Sequence, residues 1–268
     1  MKPVWTRATP SPALVRACAV FGVMPRAATT ADPAAAALTR RARQLLALIR
    51  EHDPRITLIS GPSGSGKSRL LARVALEARR AGFRVFQVSG ARLAREPSLS
   101  MFDLLARTVN RSGGPAHSVP LEDHVARLLA RFGLADPTLW PCPACDLSEG
   151  QRWRLAFALA AAGAPAGGDF TSSATSATTA PPGALVVCDE FTSPLDRVTA
   201  MGLCATLSRR QTPRLLLATP HDDVTPWLRP DLLVRLAEHA AGAGWPSGST
   251  QVVLHSTELA QAAPGGAA

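Results

Sequence analysis

The stretch GPSGSGKS at residues 61–68 fits the phosphate-loop pattern G-x-x-x-x-G-K-[S/T] at every fixed position. A short apolar run at 55–60 precedes it and a helix-forming run at 69–80 follows it, so we expect the loop to join a strand to a helix. The glycines allow backbone N–H groups to surround an anion at a helix N-terminus. The pattern predicts a nucleotide-phosphate site made of Gly61, Gly64, Ser65, Gly66, Lys67 and Ser68. In that site Lys67 reaches the β- and γ-phosphates, and the Ser68 hydroxyl binds Mg²⁺.

Basic side chains are concentrated in the first part of the chain. Residues 1–111 hold 19 basic and 6 acidic side chains, whereas residues 112–268 hold 10 and 14. This asymmetry favours an acidic partner, such as nucleic acid or a membrane surface, although a coding bias towards Arg and Ala explains it as well. No run of 18 apolar residues exists, so no membrane-spanning segment is predicted. Because a phosphate loop requires nucleotide, we expect a cytoplasmic location.

The five cysteines are odd in number and scattered along the chain, which argues against a disulfide framework. Cys142 and Cys145 have the spacing of zinc ligands, but no second CxxC or HxxxH follows them. His117 and His124 are the candidates to complete such a site. The alternative is a pair of free thiols in a proline-bounded turn.

The chain divides into three segments by pattern. Residues 1–54 read as an N-terminal arm and a helix, residues 55–240 as one nucleotide-binding domain, and residues 241–268 as a C-terminal strand with a disordered tail. Within the domain, residues 92–162 are predicted to be mainly helical. Residues 163–183 are rich in Gly, Ser, Thr and Pro, and we interpret them as a flexible surface insertion.

Three further motifs follow the phosphate loop. LSEGQ at 147–151 opens a strong helix, so Ser148 and the Gly150 backbone form a second anion-binding helix end. An apolar strand at 184–188 ends in Asp189 and Glu190. Because phosphate-loop folds require a carboxylate at such a strand end, Asp189 is expected to bind Mg²⁺, directly or through water. Glu190 is expected on the opposite side of the strand end, where it could polarise a water molecule as a general base. SPLD at 193–196 comes next, and a further apolar strand is followed by His221.

The order of these motifs resembles that of the ATP-binding-cassette ATPases over residues 55–240. The resemblance implies a P-loop NTPase of the α/β class, with three α/β/α layers, a mostly parallel sheet and a helical subdomain that carries LSEGQ. It implies that Glu190, His221 and Lys67 are catalytic and that Ser68 and Asp189 bind Mg²⁺. It also implies that ATP contacts the phosphate loop of one subunit and LSEGQ of another. The residues that it assigns to this second contact are Leu147, Ser148, Gly150, Gln151 and, in the dimer-contact loop, Asp196.

Two features of the resembled family have no clear match in this chain. The aromatic residue that stacks on the base lies on a small antiparallel sheet in that family, and here only Trp5 or Phe21 is available upstream of the phosphate loop. The glutamine that touches Mg²⁺ is also unassigned, since Gln87 falls inside a predicted strand and Asp103 is a weak substitute. These departures favour the soluble group of such ATPases, some of which are fused to an acetyltransferase domain.

Three functions are therefore open at this point. The first is a soluble ATP hydrolase that closes as an ATP-sandwich dimer, with itself or a similar subunit, and drives a conformational change in a partner. The second is the ATP-binding subunit of a membrane transporter. The third is a nucleic-acid-binding protein controlled by ATP, which would use the basic N-terminal half.

Overall fold

The computed structural model describes residues 2–6, 11–12, 16, 23–27, 33–94, 99–113, 119–163, 183–209, 213–236 and 250–254. Almost all of the predicted insertion at 163–183 and the predicted C-terminal tail lie outside these ranges. Phe21 and His117 lie outside them too, as does the side chain of Trp5.

The described strands form two sheets. In chain order they are β1 (Lys2–Thr6), β2 (Val23–Ala27), β3 (Ile56–Ser60), β4 (Arg84–Val88), β5 (Ala184–Cys188), β6 (Arg214–Thr219), β7 (Leu232–Leu236) and β8 (Thr250–Leu254). The first two pair with each other in parallel, and the other six form one sheet in the order β4-β5-β6-β3-β7-β8. Only β8 of this larger sheet is antiparallel to its neighbour. The expectation of a mostly parallel sheet is confirmed.

Helices cover both faces of the larger sheet. They are α1 (Pro33–His52), α2 (Lys67–Arg80), α3 (Gly90–Leu93), α4 (Met101–Arg111), α5 (Leu121–Arg131), a 3₁₀ turn (Pro137–Leu139), α6 (Glu149–Gly163), α7 (Arg197–Leu207) and α8 (Val224–Leu228). Apolar residues of α1 and α2 pack on one face, and those of α4 to α8 pack on the other. This gives the three layers that the sequence predicts.

The central strands are short apolar runs because both of their faces are covered by helices. All five residues of β3 are buried, as are the last four of β5 and the last five of β6. The edge strand β4 is different, since only Val88 of its five residues is buried. The helix predicted within residues 1–54 corresponds to α1, and the helix that LSEGQ opens corresponds to α6. Helices α4 and α5 lie in the segment 92–162, which is predicted to be mainly helical.

Some elements were not predicted. The parallel pair of β1 and β2 lies in a segment that the sequence analysis treats as an arm, and α3, α7 and α8 were missed as well. Five-residue elements carry too little periodicity to be recognised. Helix α7 was missed because its weak amphipathic pattern leaves Val198 and Met201 exposed, 75% and 47% respectively.

Candidate functional site

The predicted site residues converge at the carboxyl ends of three adjacent strands. Strand β6 lies between β3 and β5, so the phosphate loop after β3 lies near the carboxylates that follow β5. A cavity of about 260 Å³ opens there. Its lining residues are Ser63, Gly64, Gly66, Lys67, Ser68, Arg69, Asp189, Glu190 and Pro220. Crevices at the carboxyl ends of parallel strands are the usual ligand sites of such sheets.

The phosphate loop has the backbone conformation that its glycines permit. Gly64 and Gly66 have φ angles of 81° and 94°, in the left-handed region that favours glycine. Gly61 is also restricted by its surroundings, because a Cβ atom there would lie 2.4 Å from the carbonyl oxygen of Leu236 at the end of β7. The loop then leads into α2 at Lys67, with Gly66 as the N-cap. The helix N-terminus therefore faces the cavity, as anion binding requires.

The Lys67 ammonium is held by the loop itself. It donates hydrogen bonds to the carbonyl oxygens of Gly61 and Pro62 at 2.6 and 2.7 Å. Burial lowers the pKa of Lys67 from its ordinary value, and the negative charges of Asp189, Glu190 and Asp222 partly oppose this shift. A buried cation in a cleft beside several carboxylates is suited to bind the negative oxygens of a phosphate.

The side chains of Ser68 and Asp189 fit a magnesium site. The Ser68 hydroxyl donates to Asp189 Oδ1 at 3.0 Å, so one hydroxyl and one carboxylate oxygen face the same cavity. Mg²⁺ is usually held by one or two such oxygens together with water and substrate phosphates. Nearby, the buried Ser65 hydroxyl has no hydrogen-bond partner among the described residues. The donor set therefore suits a Mg²⁺–nucleotide complex.

Glu190 lies in the same cavity as Asp189, which differs from the expectation that the two point to opposite sides of the strand end. The reason is that β5 ends at Cys188 and Glu190 adopts a left-handed φ of 50°, so strand alternation no longer applies. The Glu190 N–H donates to Asp189 Oδ1 at 3.0 Å. Thr192 is also left-handed, with φ of 69°. Such conformations are uncommon for residues other than glycine and cost roughly 1–3 kcal/mol each.

Hydrogen bonds tie this strained turn to the end of β6. The Phe191 N–H donates to the Ala218 carbonyl at 2.7 Å, and the buried Thr219 hydroxyl donates to the Phe191 carbonyl at 3.0 Å. The same Thr219 oxygen accepts a hydrogen bond from the His221 N–H at 3.2 Å. Thr219 thus links the loop of Glu190 to that of His221. Sequence reasoning missed Thr219, although a hydroxyl at the end of a buried strand was the available signal.

His221 and the LSEGQ segment are near the cavity but do not line it. His221 is half-buried and follows Pro220, which does line it. Helix α6 begins at Glu149, as predicted. Ser148 and Gln151 form a capping box, in which the Ser148 N–H donates to Gln151 Oε1 at 2.9 Å and the Gln151 N–H donates to Ser148 Oγ at 3.2 Å.

The capping box leaves part of the α6 N-terminus open. No described residue accepts a hydrogen bond from the N–H groups of Glu149 or Gly150. Leu147, just before the helix, is buried and accepts a hydrogen bond from Arg152. A cavity of about 640 Å³ connects the two motifs within one chain, since its lining includes Glu149 and Arg152 as well as Asp189 and Glu190.

Gln87 and Asp103, the two candidates for the magnesium-contacting position, differ in their surroundings. Gln87 is an exposed residue of β4 and lines the same 640 Å³ cavity as Asp189 and Glu190. Asp103 instead accepts a hydrogen bond from the Ser100 hydroxyl at 2.7 Å, at the start of α4. Of the two, Gln87 is therefore the one close to the carboxylates.

Asp196 acts as a helix cap in this chain. Its carboxylate accepts hydrogen bonds from the Thr199 N–H at 2.9 Å and the Thr199 hydroxyl at 2.6 Å, at the start of α7. These bonds lower the pKa of Asp196, the hydroxyl bond contributing most. The preceding residue, Leu195, lies against Gly150, where a Cβ atom would be 3.4 Å from Leu195 Cδ2. The SPLD loop and the LSEGQ helix start are therefore packed together.

Cys142 and Cys145 are free, half-buried thiols. The Cys145 thiol donates to Asp146 Oδ1 at 3.4 Å, and burial raises the pKa of Cys145. Within the described ranges no group of three or more His, Cys, Asp or Glu residues is arranged to hold a metal ion. The zinc hypothesis gains no ligand beyond the two cysteines from this part of the chain.

Comparison with known proteins gives a family and a set of similar folds. A family model described as an AAA ATPase domain matches residues 36–218, which is more than half of the chain. A comparison with curated proteins found no match. None of the helices within the described ranges has the length and hydrophobicity needed to cross a membrane.

Two of the solved structures that match are described as an ATP-binding cassette and an ABC exporter. One is the ATP-binding cassette MJ0796, a post-hydrolysis dimer bound to ADP and Pi, with 18% identity, a TM-score of 0.47 and coverage of 68% of this chain and 80% of that chain. Another is a bacterial Atm1-family ABC exporter with ATP bound, with 19% identity and a TM-score of 0.42. That match covers 67% of this chain and 32% of the exporter chain.

Proposed function

The chain belongs to the family of AAA ATPase domains, and on that premise we propose that it binds ATP with Mg²⁺ and hydrolyses it. The observation that carries the proposal is the meeting of Lys67, Ser68, Asp189 and Glu190 in one cavity at the carboxyl ends of adjacent strands. A phosphate loop, an oxygen pair for a divalent cation and a carboxylate that can accept a proton are the parts that phosphoryl transfer to water requires.

Positioning of the phosphates comes from the loop and Lys67. The N–H groups at the start of α2 and the Lys67 ammonium bind the phosphate oxygens. When ATP binds, Lys67 replaces its hydrogen bonds to the carbonyls of Gly61 and Pro62 with hydrogen bonds to phosphate. Ser68 and Asp189 would hold Mg²⁺, which neutralises phosphate charge. Because the site is preorganised, these interactions require little rearrangement as charge moves during the reaction.

Glu190 is the general base of the proposed reaction. Its carboxylate accepts a proton from the attacking water while the bond from the γ-phosphorus to the bridging oxygen breaks, giving ADP and phosphate. The hydrogen bonds from the Phe191 N–H to the Ala218 carbonyl and from the Thr219 hydroxyl to the Phe191 carbonyl keep the Glu190 turn fixed to β6. His221 follows that strand and is the candidate to contact the γ-phosphate.

A second subunit completes the site in this proposal. The N–H groups of Glu149 and Gly150 at the start of α6 have no acceptor among the described residues, and the exposed Ser148 hydroxyl lies beside them. These donors suit the γ-phosphate held by another copy of the chain or by a similar subunit. ATP then lies between two chains, and its hydrolysis allows them to separate. This opening and closing is the conformational change that acts on a partner.

The Glu190→Gln variant tests both parts of the proposal. We expect hydrolysis to fall about 10²- to 10⁴-fold while ATP binding is retained, because the amide keeps the shape of the side chain but accepts no proton. With ATP and Mg²⁺ the variant should elute as a dimer in size-exclusion chromatography. The matched control is Glu122→Gln, an exposed carboxylate at the start of α5, which should hydrolyse ATP at the wild-type rate.

The outcomes separate the two parts. Wild-type hydrolysis by Glu190→Gln would overturn the assignment of Glu190 as the base. Loss of hydrolysis by a variant that binds ATP but stays monomeric would overturn the shared site alone. A membrane protein that co-purifies with the ATP-bound variant would instead indicate a transporter subunit.

A further inference from the structure

A second, larger groove lies along the edge of the sheet, beside the helical layer. It has a volume of about 920 Å³ and runs between β4 and the helices α3, α4 and α6. Residues Val85, Phe86 and Gln87 of β4 form one wall. The apolar side chains of Leu93, Leu104 and Leu159 lie in its floor. The proposed ATP hydrolysis does not use this groove.

The charged residues of the groove are all basic. Arg79, Arg92, Arg107 and Arg111 line it, whereas none of its described lining residues is Asp or Glu. All four arginines are exposed. Arg107 and Arg111 are one helical turn apart on α4, and the Arg111 Nε–H donates to the Arg107 carbonyl at 3.3 Å. The groove therefore has a positive rim above an apolar floor, which favours an acidic ligand.

The strand in the wall of the groove has one neighbour. Among the described residues, β4 pairs only with β5, so its other edge presents backbone N–H and C=O groups without strand partners. An extended peptide can add to such an edge through main-chain hydrogen bonds, with side-chain pockets giving specificity.

We propose that this groove binds an extended acidic segment of a partner protein, which adds as a strand to the edge of β4. The spacing of the charges agrees with this arrangement. Residues four apart on a helix have Cβ atoms about 5–6 Å apart, and alternate residues of a strand are separated by about 6.6 Å. Two acidic residues at alternate positions of the peptide therefore face Arg107 and Arg111, and an apolar residue at the next alternate position, on the same face of the peptide, contacts Leu104 and Leu159.

The composition of the groove favours a peptide over a nucleic acid. Single-stranded nucleic acid binds to aromatic side chains on which successive bases stack. Phe86 is the one aromatic residue among the described lining residues, and the guanidinium of Arg84 already lies 5.4 Å from the centre of its ring. The rest of the floor is aliphatic.

Selection from a phage-displayed library of random peptides, about 12 residues long, tests the proposal. The selected sequences should be rich in Asp and Glu at two alternate positions, followed or preceded by an apolar residue at the next alternate position. In fluorescence anisotropy, synthetic copies should bind about tenfold more weakly to the variant Arg107→Ala/Arg111→Ala, which loses two charge-assisted contacts. Methylation of alternate peptide nitrogens should abolish binding, because it removes the donors that pair with the strand edge.

The matched control is Arg40→Ala/Arg50→Ala, which removes two exposed arginines from α1 on the other face of the sheet and should bind like the wild type. Circular dichroism and the ATPase rate should be unchanged in both variants, which separates this test from that of the proposed activity. Equal binding to the groove variant, or selected peptides without acidic enrichment, would overturn the proposal. Binding of an oligo-dT strand that depends on Arg107 and Arg111, with no peptide binding, would overturn it in favour of nucleic acid.

Discussion

Two buried charged groups, at opposite ends of α2, differ in the partners that the protein gives them. Glu77, near the end of the helix, is 6% exposed and is bonded to Arg43, Arg73 and Arg80 at 3.0, 3.2 and 2.8 Å. Lys67, at the start of the same helix, is 8% exposed, and its partners among the described residues are backbone carbonyls. Within this part of the chain, Glu77 therefore has charged partners in direct contact and Lys67 has none.

This contrast distinguishes a structural charge from a functional one. The Glu77 cluster holds α1 against α2, and hydrogen bonding from Arg43 lowers the pKa of Glu77. At the phosphate loop, by comparison, a cation and two carboxylates line a cavity beside a strained turn, and the buried Ser65 hydroxyl nearby has no partner among the described residues. The buried cation, the Ser65 hydroxyl and the strained turn lower the stability of the protein without ligand. In the proposed function, bound ATP and Mg²⁺ supply partners for the charged groups of the site.

Among three variants that test this contrast, Lys67→Met should have the largest effect, on ATP affinity. ATP affinity measured by titration calorimetry should fall about 100-fold, because a charge-assisted contact to phosphate is lost. The nucleotide-free protein should become more stable in urea at neutral pH. Burial disfavours the charged Lys67, so its pKa is lowered, and stability rises with pH between that lowered pKa and the ordinary value of 10.5. Destabilisation of the nucleotide-free variant by more than about 1 kcal/mol would mean that Lys67, like Glu77, stabilises the fold.

A smaller effect is expected for Thr219→Val, which keeps the shape of the side chain and removes the hydroxyl that links Phe191 to His221. We expect kcat to fall about tenfold, with little change in KM for ATP, because the Glu190 turn is no longer fixed while the phosphate loop is intact. Thr57→Val, at a buried threonine of β3, is the control for loss of a buried hydroxyl. Equal loss of kcat in the two variants would show that Thr219 has only a structural role.

The smallest effect is expected for Glu77→Gln. The variant should lose about 1 kcal/mol of unfolding free energy at neutral pH, because Arg43 and Arg80, two of its three arginine partners, are largely exposed and keep most of their hydration. The stabilisation by Glu77 is complete above about pH 4.5 and disappears as the pH falls through the lowered pKa of the folded state. Urea unfolding should therefore show the wild type and the variant converging in acid, with no change in ATP affinity. A change in affinity would mean that the cluster also shapes the phosphate site.

Much of the fold could be predicted from the sequence because its main elements are determined locally. The apolar runs of β3, β5 and β6 indicate buried parallel strands, and the capping residues of α6 mark its start. The pairing of β1 with β2 could not be predicted, since it depends on contacts between segments about twenty residues apart with no alternating pattern. The position of β6 between β3 and β5 depends on how the crossover helices pack.

The candidate site shows the same limit. The pattern at 61–68 predicts the phosphate loop from its glycines, Lys67 and Ser68, and the order of the later motifs predicts Asp189 and Glu190 as site residues. The direction of Glu190 could not be predicted, because its left-handed backbone is held by bonds from Phe191 and Thr219 to neighbouring positions in space. The sequence analysis also did not predict that Asp196 caps a helix, because the resemblance assigns it to a dimer-contact loop. Its carboxylate accepts a hydrogen bond from Thr199, three residues later, and this local contact is sufficient to explain its position.

The arginines beside β4 also affect how copies of this chain behave in concentrated solution. An uncovered strand edge readily pairs with the same edge of another molecule, which leads to aggregation. Here such an encounter brings Arg79, Arg92, Arg107 and Arg111 of two molecules together, and their repulsion opposes it at low ionic strength. The same four arginines would therefore attract the proposed acidic ligand to the edge of β4 and oppose pairing of this edge between two copies of the chain. Salt weakens both the attraction and the repulsion.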